Sequence, residues 1–353
     1  MRDHPMTFLS HQWNSLLRSA IGAAALACAF GAAPSRAQDG LAKPDQMTTL
    51  HYASTGFSWS TAPQLVGVAK KFFEAENIKL EIAVAGQSAG VCQLLLAKAI
   101  DIGQCSMNDV IQIVEASGAP LVLVSNEGVT ALNYAIMAKP GVKTWADLKG
   151  KTIIVGGPKD NTVYYTRVMA RANGVQDQDY QFTYAGASGA RFAALKSGAV
   201  DAAILTDPFD AEAALEGFTR LDDLLPKYLK AETYAGTGAV TTRDWAKAHP
   251  AEILAYIRAF RKSTLWLYDP ANKDELFAIL QPKLNVTREA FDRAYQKNVV
   301  ENKSWFTNGR TLDSAIQGIV DSLVELGSLP APAPKASKYY DNTYVDLIAK
   351  AGM

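Results

Sequence analysis

Gly86-Gln87-Ser88-Ala89-Gly90 fits the Gly-x-Ser-x-Gly pattern that presents a serine hydroxyl as a nucleophile between a strand and a helix. Such a serine needs a histidine base, and the only histidine after it is His249, just before Pro250 at an expected helix start. The turn also recurs as Ala185-Gly186-Ala187-Ser188 with no hydrolase spacing, which favours a binding role shared by the two copies. A helix start supplies that chemistry without a nucleophile, because its first N–H groups are unpaired and carry about half a positive charge. Four such starts are expected: Ser60-Thr61, Gln87-Ser88, Asn161-Thr162 and Ser188-Gly189. The first turns after Gln87, Asn161 and Ser188 hold no Asp or Glu, which leaves their donors for an external anion or carbonyl. Taken singly, each of these residues reads equally as a plain N-cap.

Arg191 lies in the first turn after Ser188, where a cation opposes the helix dipole. A ligand carboxylate or sulfonate held by its guanidinium fork would explain the placement, and a solvated surface arginine is the alternative. Asp207, before Pro208, can cap the following helix or accept a bond from ligand or Arg191. Phe57, Trp59, Tyr164, Tyr165 and Phe209 stand beside these polar turns and could supply flat apolar area. Core burial is the natural alternative for Tyr165 and Phe209, and less so for Phe57 and Trp59 inside a polar loop. No His-Glu-x-x-His, acidic calcium loop, Cys-x-x-Cys pair or P-loop is present, so no metal or cofactor is expected.

The elements that must position these residues alternate. Short β-rich runs are expected over 50–54, 78–85, 101–104, 120–125, 133–138, 152–155, 180–184, 201–205 and 234–242. Helical patterns lie between them and dominate after 242, at 250–268, 288–299 and 312–326. Residues 330–334, Pro-Ala-Pro-Ala-Pro, read as an extended spacer. Ala85-Gly86-Gln87-Ser88 is echoed by Ala185-Gly186-Ala187-Ser188, and Ala99-Ile100-Asp101 by Ala199-Val200-Asp201, each one hundred positions later. Two copies of a strand, turn, helix, strand unit imply two similar α/β lobes with a cleft between them.

Of 353 residues, 48% are hydrophobic and 20% charged, with 35 basic and 35 acidic side chains. That excludes a disordered chain and gives no basic excess for nucleic acid. Residues 1–37 read as a secretory leader, with an apolar run over 20–33 too short for a membrane span and Ser35-Arg36-Ala37 at its end. Removing Arg2, Arg18, Arg36 and Asp3 with the leader leaves the mature chain two charges negative. Lipidation at Cys28 is a second reading of the leader. The mature chain keeps Cys92 and Cys105, read as small buried side chains or a disulfide pair. The expected division is 38–138 with 239–353 as the first lobe and 139–238 as the second, joined by two strands.

Several of these segments resemble the periplasmic solute-binding proteins of ABC importers, in the branch of nitrate, taurine, alkanesulfonate and thiamine-precursor binders. They are the export signal, residues 50–59 opening into Ala62-Pro63, Phe72-Phe73-Glu74 before Asn77-Ile78, the two Asp-headed repeats and the tail Tyr340-Asp341-Asn342-Thr343-Tyr344-Val345. The resemblance implies an α/β two-lobed fold of the type II class with a two-strand hinge, and a periplasmic, non-enzymatic, monomeric receptor. Its partners would be a small-molecule ligand and the permease and ATPase subunits of an importer. By position, the family's ligand loops correspond to 54–59 (with Thr55, Phe57 and Trp59), Gln87-Ser88, Ser106 to Asn108 and Asn126 in the first lobe. In the second they correspond to Asn161-Thr162, Ser188 to Arg191 and Thr206-Asp207. Phe57 and Trp59 argue for an organic anion, a carboxylate or sulfonate with a flat body, over a bare inorganic one. A secreted hydrolase using Ser88 and a ligand sensor signalling to a kinase are the rival readings.

Overall fold

The computed structural model describes residues 42–128, 134–158, 160–224, 228 and 236–352. The leader of residues 1–37, with Cys28, lies outside the described residues. Among the described residues ten strands form two five-stranded sheets. The first sheet has the order β2-β1-β3-β10-β4, built from β1 (Thr48–Ser54), β2 (Ile78–Val84), β3 (Ile102–Ser106), β4 (Leu121–Gly128) and β10 (Thr237–Thr242). The second has the order β7-β6-β8-β5-β9, from β5 (Tyr134–Ala138), β6 (Thr152–Val155), β7 (Gln181–Tyr184), β8 (Ala202–Thr206) and β9 (Thr219–Asp223). In each sheet the three strands at one end run parallel, and the strand that comes from the other lobe runs antiparallel. The two sheets therefore have the same plan, and the fold is a two-lobed α/β architecture.

The crossings lie where sheet membership changes. The chain leaves the first sheet after Gly128, enters the second at Tyr134, leaves it after Asp223 and rejoins the first at Thr237. Residues 134–138 were expected with the first lobe, yet β5 pairs with β8 and β9 in the second sheet. Likewise Thr237 and Gly238, expected on the second-lobe side, pair with Ser106 and Cys105 of β3. A single apolar strand carries no mark of which sheet it joins, so alternation in sequence located the strands and not the crossings. The strand β9, Thr-Arg-Leu-Asp-Asp, had no sequence signal because it is a polar edge strand with no buried residue.

Helices cover the sheets: α1 (Ala62–Ala69), α2 (Ser88–Leu96), α3 (Met107–Ser117), α4 (Asn161–Ala172), α5 (Ser188–Lys196) and α6 (Phe209–Leu215) follow strands. Then come α7 (Arg243–Ala248), α8 (Pro250–Tyr268), α9 (Lys273–Leu284), α10 (Arg288–Tyr295), α11 (Asp313–Glu325) and α12 (Thr343–Lys350). α1 ends at Ala69, with Lys70 as its C-cap. Lys71 takes a left-handed φ of 58°, and the chain folds back so that Phe73 is buried against Gly67, where a β-carbon would lie 2.3 Å from its ring. Residues 331–333, in the Pro-Ala spacer, are exposed, as expected. No helix among the described residues is long and apolar enough to cross a membrane.

The repeat seen in sequence is a repeat in structure. α2 and α5 are both nine residues, and β3 and β8 both five. Asp101 Oδ2 accepts from His51 N at 2.8 Å, and Asp201 Oδ2 accepts from Thr152 N at 3.0 Å. The two Asp-headed strands are thus tied to the starts of their sheets in the same way.

Candidate functional site

The serine of each repeated turn does the same local work. Ser88 Oγ accepts from Ser106 N at 2.8 Å, and Ser188 Oγ accepts from Thr206 N at 3.1 Å, each bond joining a helix start to the end of the next strand. The N-caps Gln87 and Ala187 make no side-chain cap bond, so the first turns of α2 and α5 are not closed off by their own side chains. Both turns face one cavity between the lobes, enclosing about 820 Å³ of atom-free space with its open mouth included. Thr55, Phe57, Gln87, Ser88 and Ser106 line it from the first lobe, and Asn161, Thr162, Ser188 and Arg191 from the second. Phe57 stands partly exposed with the Lys283 ammonium 5.2 Å from its ring centre.

Five expected residues lie elsewhere. Trp59 is fully buried, its ring 5.4 Å from Phe291 and 5.9 Å from Trp305, because the short 3-10 turn Trp59–Thr61 directs it into the first lobe's core. Asn126 is buried at the end of β4, where its Oδ1 accepts from Gly128 N at 3.2 Å. Asn108, also buried, does not line the cavity; its Oδ1 accepts from Tyr165 Oη at 3.2 Å, a bond from one lobe to the other. Tyr164 packs edge-on against Tyr165 and lines a separate recess with Gln112 and Arg167. Asp207 does not cap α6. Its Oδ2 accepts from Asn298 Nδ2 at 2.9 Å and pairs with Lys297 at 3.2 Å, while burial and the Asp210 charge push its pKa up to about 8.

Arg191 reaches the cavity but offers no open fork. Its Nε donates to Ile204 O at 2.7 Å, one terminal nitrogen donates to Ala185 O and Gly186 O, and the other to Ser188 Oγ at 2.8 Å. Burial lowers its pKa, and Asp160 acts in the opposite direction. The start of α4 is also occupied. Asp160 is its N-cap, and Asp160 Oδ1 accepts from Thr162 N at 2.9 Å and from the Thr162 hydroxyl. The absence of acids after Asn161 was read correctly, but the acid stands one residue before it.

Asp160, Tyr134, Tyr165 and Thr206 also line the cavity. An Asp immediately before a helix start is a cap signal that could have flagged Asp160, whereas Tyr134 depends on which sheet β5 joins. No histidine among the described residues lines the cavity. His249, the base a Ser88 nucleophile would need, stacks on Trp245 at 4.6 Å, and its Nδ1 lies 3.0 Å from Trp245 O. Among the described residues no cluster of His, Cys, Asp and Glu could hold a metal.

Three solved structures show the same fold. The alkanesulfonate-binding protein SsuA of Xanthomonas axonopodis pv. citri, bound to MOPS, is 17% identical, with 84% of this chain and 99% of that chain covered at a TM-score of 0.68. The periplasmic nitrate-binding protein NrtA of Synechocystis PCC 6803 is 15% identical, with 88% and 89% covered at 0.73. The desulfurization enzyme DSZB is 15% identical, with 86% and 99% covered at 0.61, so the same architecture also carries an enzyme. No curated protein sequence matches the chain. The NMT1/THI5-like family model matches residues 59–273, more than half of the sequence, and this chain belongs to that family.

Proposed function

We propose that the protein is the solute-binding component of an ABC importer, exported to the periplasm, where it captures a small organic acid and delivers it to a membrane permease driven by an ATPase. The observation that carries this reading is the cavity itself, lined by matching helix starts from two lobes that strand crossings connect. In open α/β sheets ligands bind at the carboxyl ends of the strands, which is where both turns lie. A solute held from both sides stabilises the closed arrangement by its differential affinity for it, and closure alters the surface offered to a permease. No step requires bond making or breaking. The acceptor end of the solute would meet the N–H groups of α2 and α5, and Phe57, Tyr134 and Tyr165 would cover its body.

Thermal-shift screening of the mature protein against sulfonates and aliphatic and aromatic carboxylates, followed by solution scattering, tests the reading. A solute at about 100 times its Kd stabilises by about 2.7 kcal/mol and should reduce the radius of gyration. A protein whose melting and scattering ignore every acid, while it turns over an ester substrate, would be an enzyme instead.

A further inference from the structure

The lobes also meet away from the cavity, where two buried carboxylates of the second lobe face a cation of the first. Asp207, just after β8, and Asp210, in α6, are 1% and 0% exposed. Among the described residues their own lobe pairs them with Arg220 of β9, whose guanidinium donates to Asp210 Oδ2 at 2.7 Å and is shared with Asp223. The other cation comes from the first lobe: Lys297 Nζ lies 3.2 Å from Asp207 Oδ2 and 3.7 Å from Asp210 Oδ2. Lys297 stands in a π-helical turn, Gln296–Glu301, that follows α10. Successive residues of an α-helix point about 100° apart, yet here the adjacent Asn298 donates to the same Asp207 oxygen at 2.9 Å. The joint is continued by Trp59 N donating to Asp207 O at 3.3 Å and by the Thr287 hydroxyl donating to Glu212 Oε2 at 2.8 Å.

Burial works to raise the pKa of Asp210, but the Lys297 and Arg220 charges hold it below the usual carboxylate range, so this member of the pair is ionised. Burial works to lower the pKa of Lys297, and the Asp207 and Asp210 charges raise it, so the cation is kept. Parting the lobes removes Lys297 from two neighbouring acids and leaves them to Arg220, which Asp223 already shares. Separating a buried pair is costly because the charge left behind has lost its partner. We propose that Lys297 is a strap between the lobes, whose ion pair with Asp207 and Asp210 holds part of the solute-free protein in the closed arrangement. Solute affinity is then set in part by a contact the solute never touches, since the binding-competent fraction scales it. The inference rests on the receptor reading in one respect, that the lobes move.

Distances measured without any solute test it. Nitroxide labels at Gln93→Cys and Ala193→Cys, equivalent exposed positions of α2 and α5, report the separation of the lobes by pulsed electron resonance in the mature protein. The labelled parent is compared with the same protein carrying Lys297→Met, which removes the charge and keeps an unbranched chain, or Lys297→Arg, which keeps the charge. Thermal melting checks that each folds, and Lys297→Gln, also uncharged, replaces the methionine variant if that one does not. The parent should show a short-distance population. Lys297→Met should raise the ratio of long to short distances about tenfold or more, and Lys297→Arg should stay near the parent. An uncharged variant with the parent's mixture of distances, or Lys297→Arg as open as Lys297→Met, overturns the strap and leaves the receptor reading standing. One short distance in every protein, unchanged by any variant, means lobes that do not part and overturns both together.

Discussion

Gly86 and Gly186, one hundred positions apart, meet backbone to backbone across the cleft: a β-carbon on Gly186 would lie 2.4 Å from the Gly86 carbonyl oxygen. The approach is closer than any side chain allows, and it joins the two repeated turns where the lobes come together. Gly186 does not have a left-handed φ, so a larger residue there is excluded by the opposite lobe and not by its own backbone.

Gly186→Val should therefore separate closure from folding. Each lobe keeps its core, and the melting temperature should change little. The closed arrangement is blocked, and solute affinity should fall about tenfold or more, with a larger radius of gyration at saturating solute. Gly86→Ala is the contrasting control. Gly86 has φ +80°, and its β-carbon would meet nothing within 4 Å, so the cost is strain of about 1 kcal/mol in stability without a block to closure. If Gly186→Val binds as tightly as wild type, the lobes do not need this contact to hold a solute.

Arg191 reads as an architectural cation. It donates to three backbone carbonyls and the Ser188 hydroxyl, tying α5 to the ends of β7 and β8. Lysine cannot reproduce that planar set of donors. Arg191→Lys should lose on the order of 2–3 kcal/mol of stability, since buried carbonyls are left unpaired. Denaturant unfolding measures the loss. An Arg191→Lys protein of wild-type stability but weaker binding would instead restore Arg191 as a direct ligand contact.

How far the sequence reached follows from the physics of each residue. The one-hundred-residue echo located both turns, both helices and both Asp-headed strands, because Gly, Ser and Asp at turns are dictated by local backbone demands. Lobe membership of β5 was not legible, since pairing partners are set by long-range contacts, whereas β10 falls in the first lobe as expected from Ala239 on and differs only at Thr237 and Gly238. Trp59 misled for a related reason: its polar neighbours suggested a loop facing the cleft, while Phe291 and Trp305, more than 200 positions later, supply its packing. Arg191 was correctly singled out as unusual, yet its partners are carbonyls of its own lobe, invisible until strand ends are placed in space.

Cys92 and Cys105 lie with their sulfurs 3.2 Å apart, both fully buried, and burial raises the Cys105 pKa well above an ordinary thiol. Such thiols are inert because attack requires an accessible thiolate. Neither should react with a disulfide reagent in the native protein, and both should react once denaturant is added. Free reaction of the native protein would mean that α2 opens easily from β3. Absence of reaction even when unfolded, reversed by reductant, would mean that the pair is oxidised.

Glu127 gives the fold a pH dependence of definite sign. Its carboxylate is buried in the first lobe, accepting from Tyr256 Oη at 2.6 Å and from Gln64 Nε2 at 3.1 Å, and burial pushes its pKa from 4.5 to about 7. Folded protein therefore holds this proton more tightly than unfolded chain. Between about pH 4.5 and 7 the native state binds more protons, and stability falls as pH rises, by up to ~3 kcal/mol from this group. Asp207, also raised by burial, adds a fall of the same sign that extends to about pH 8. Glu127→Gln removes the titration but keeps a side chain of the same shape between Tyr256 and Gln64. Its unfolding free energy should decline less than that of the wild type between pH 5 and 7, so the difference between the two proteins moves in the variant's favour as pH increases. Parallel curves across that window would mean that Glu127 is already ionised in the folded state at acid pH, held by its hydrogen bonds against the cost of burial.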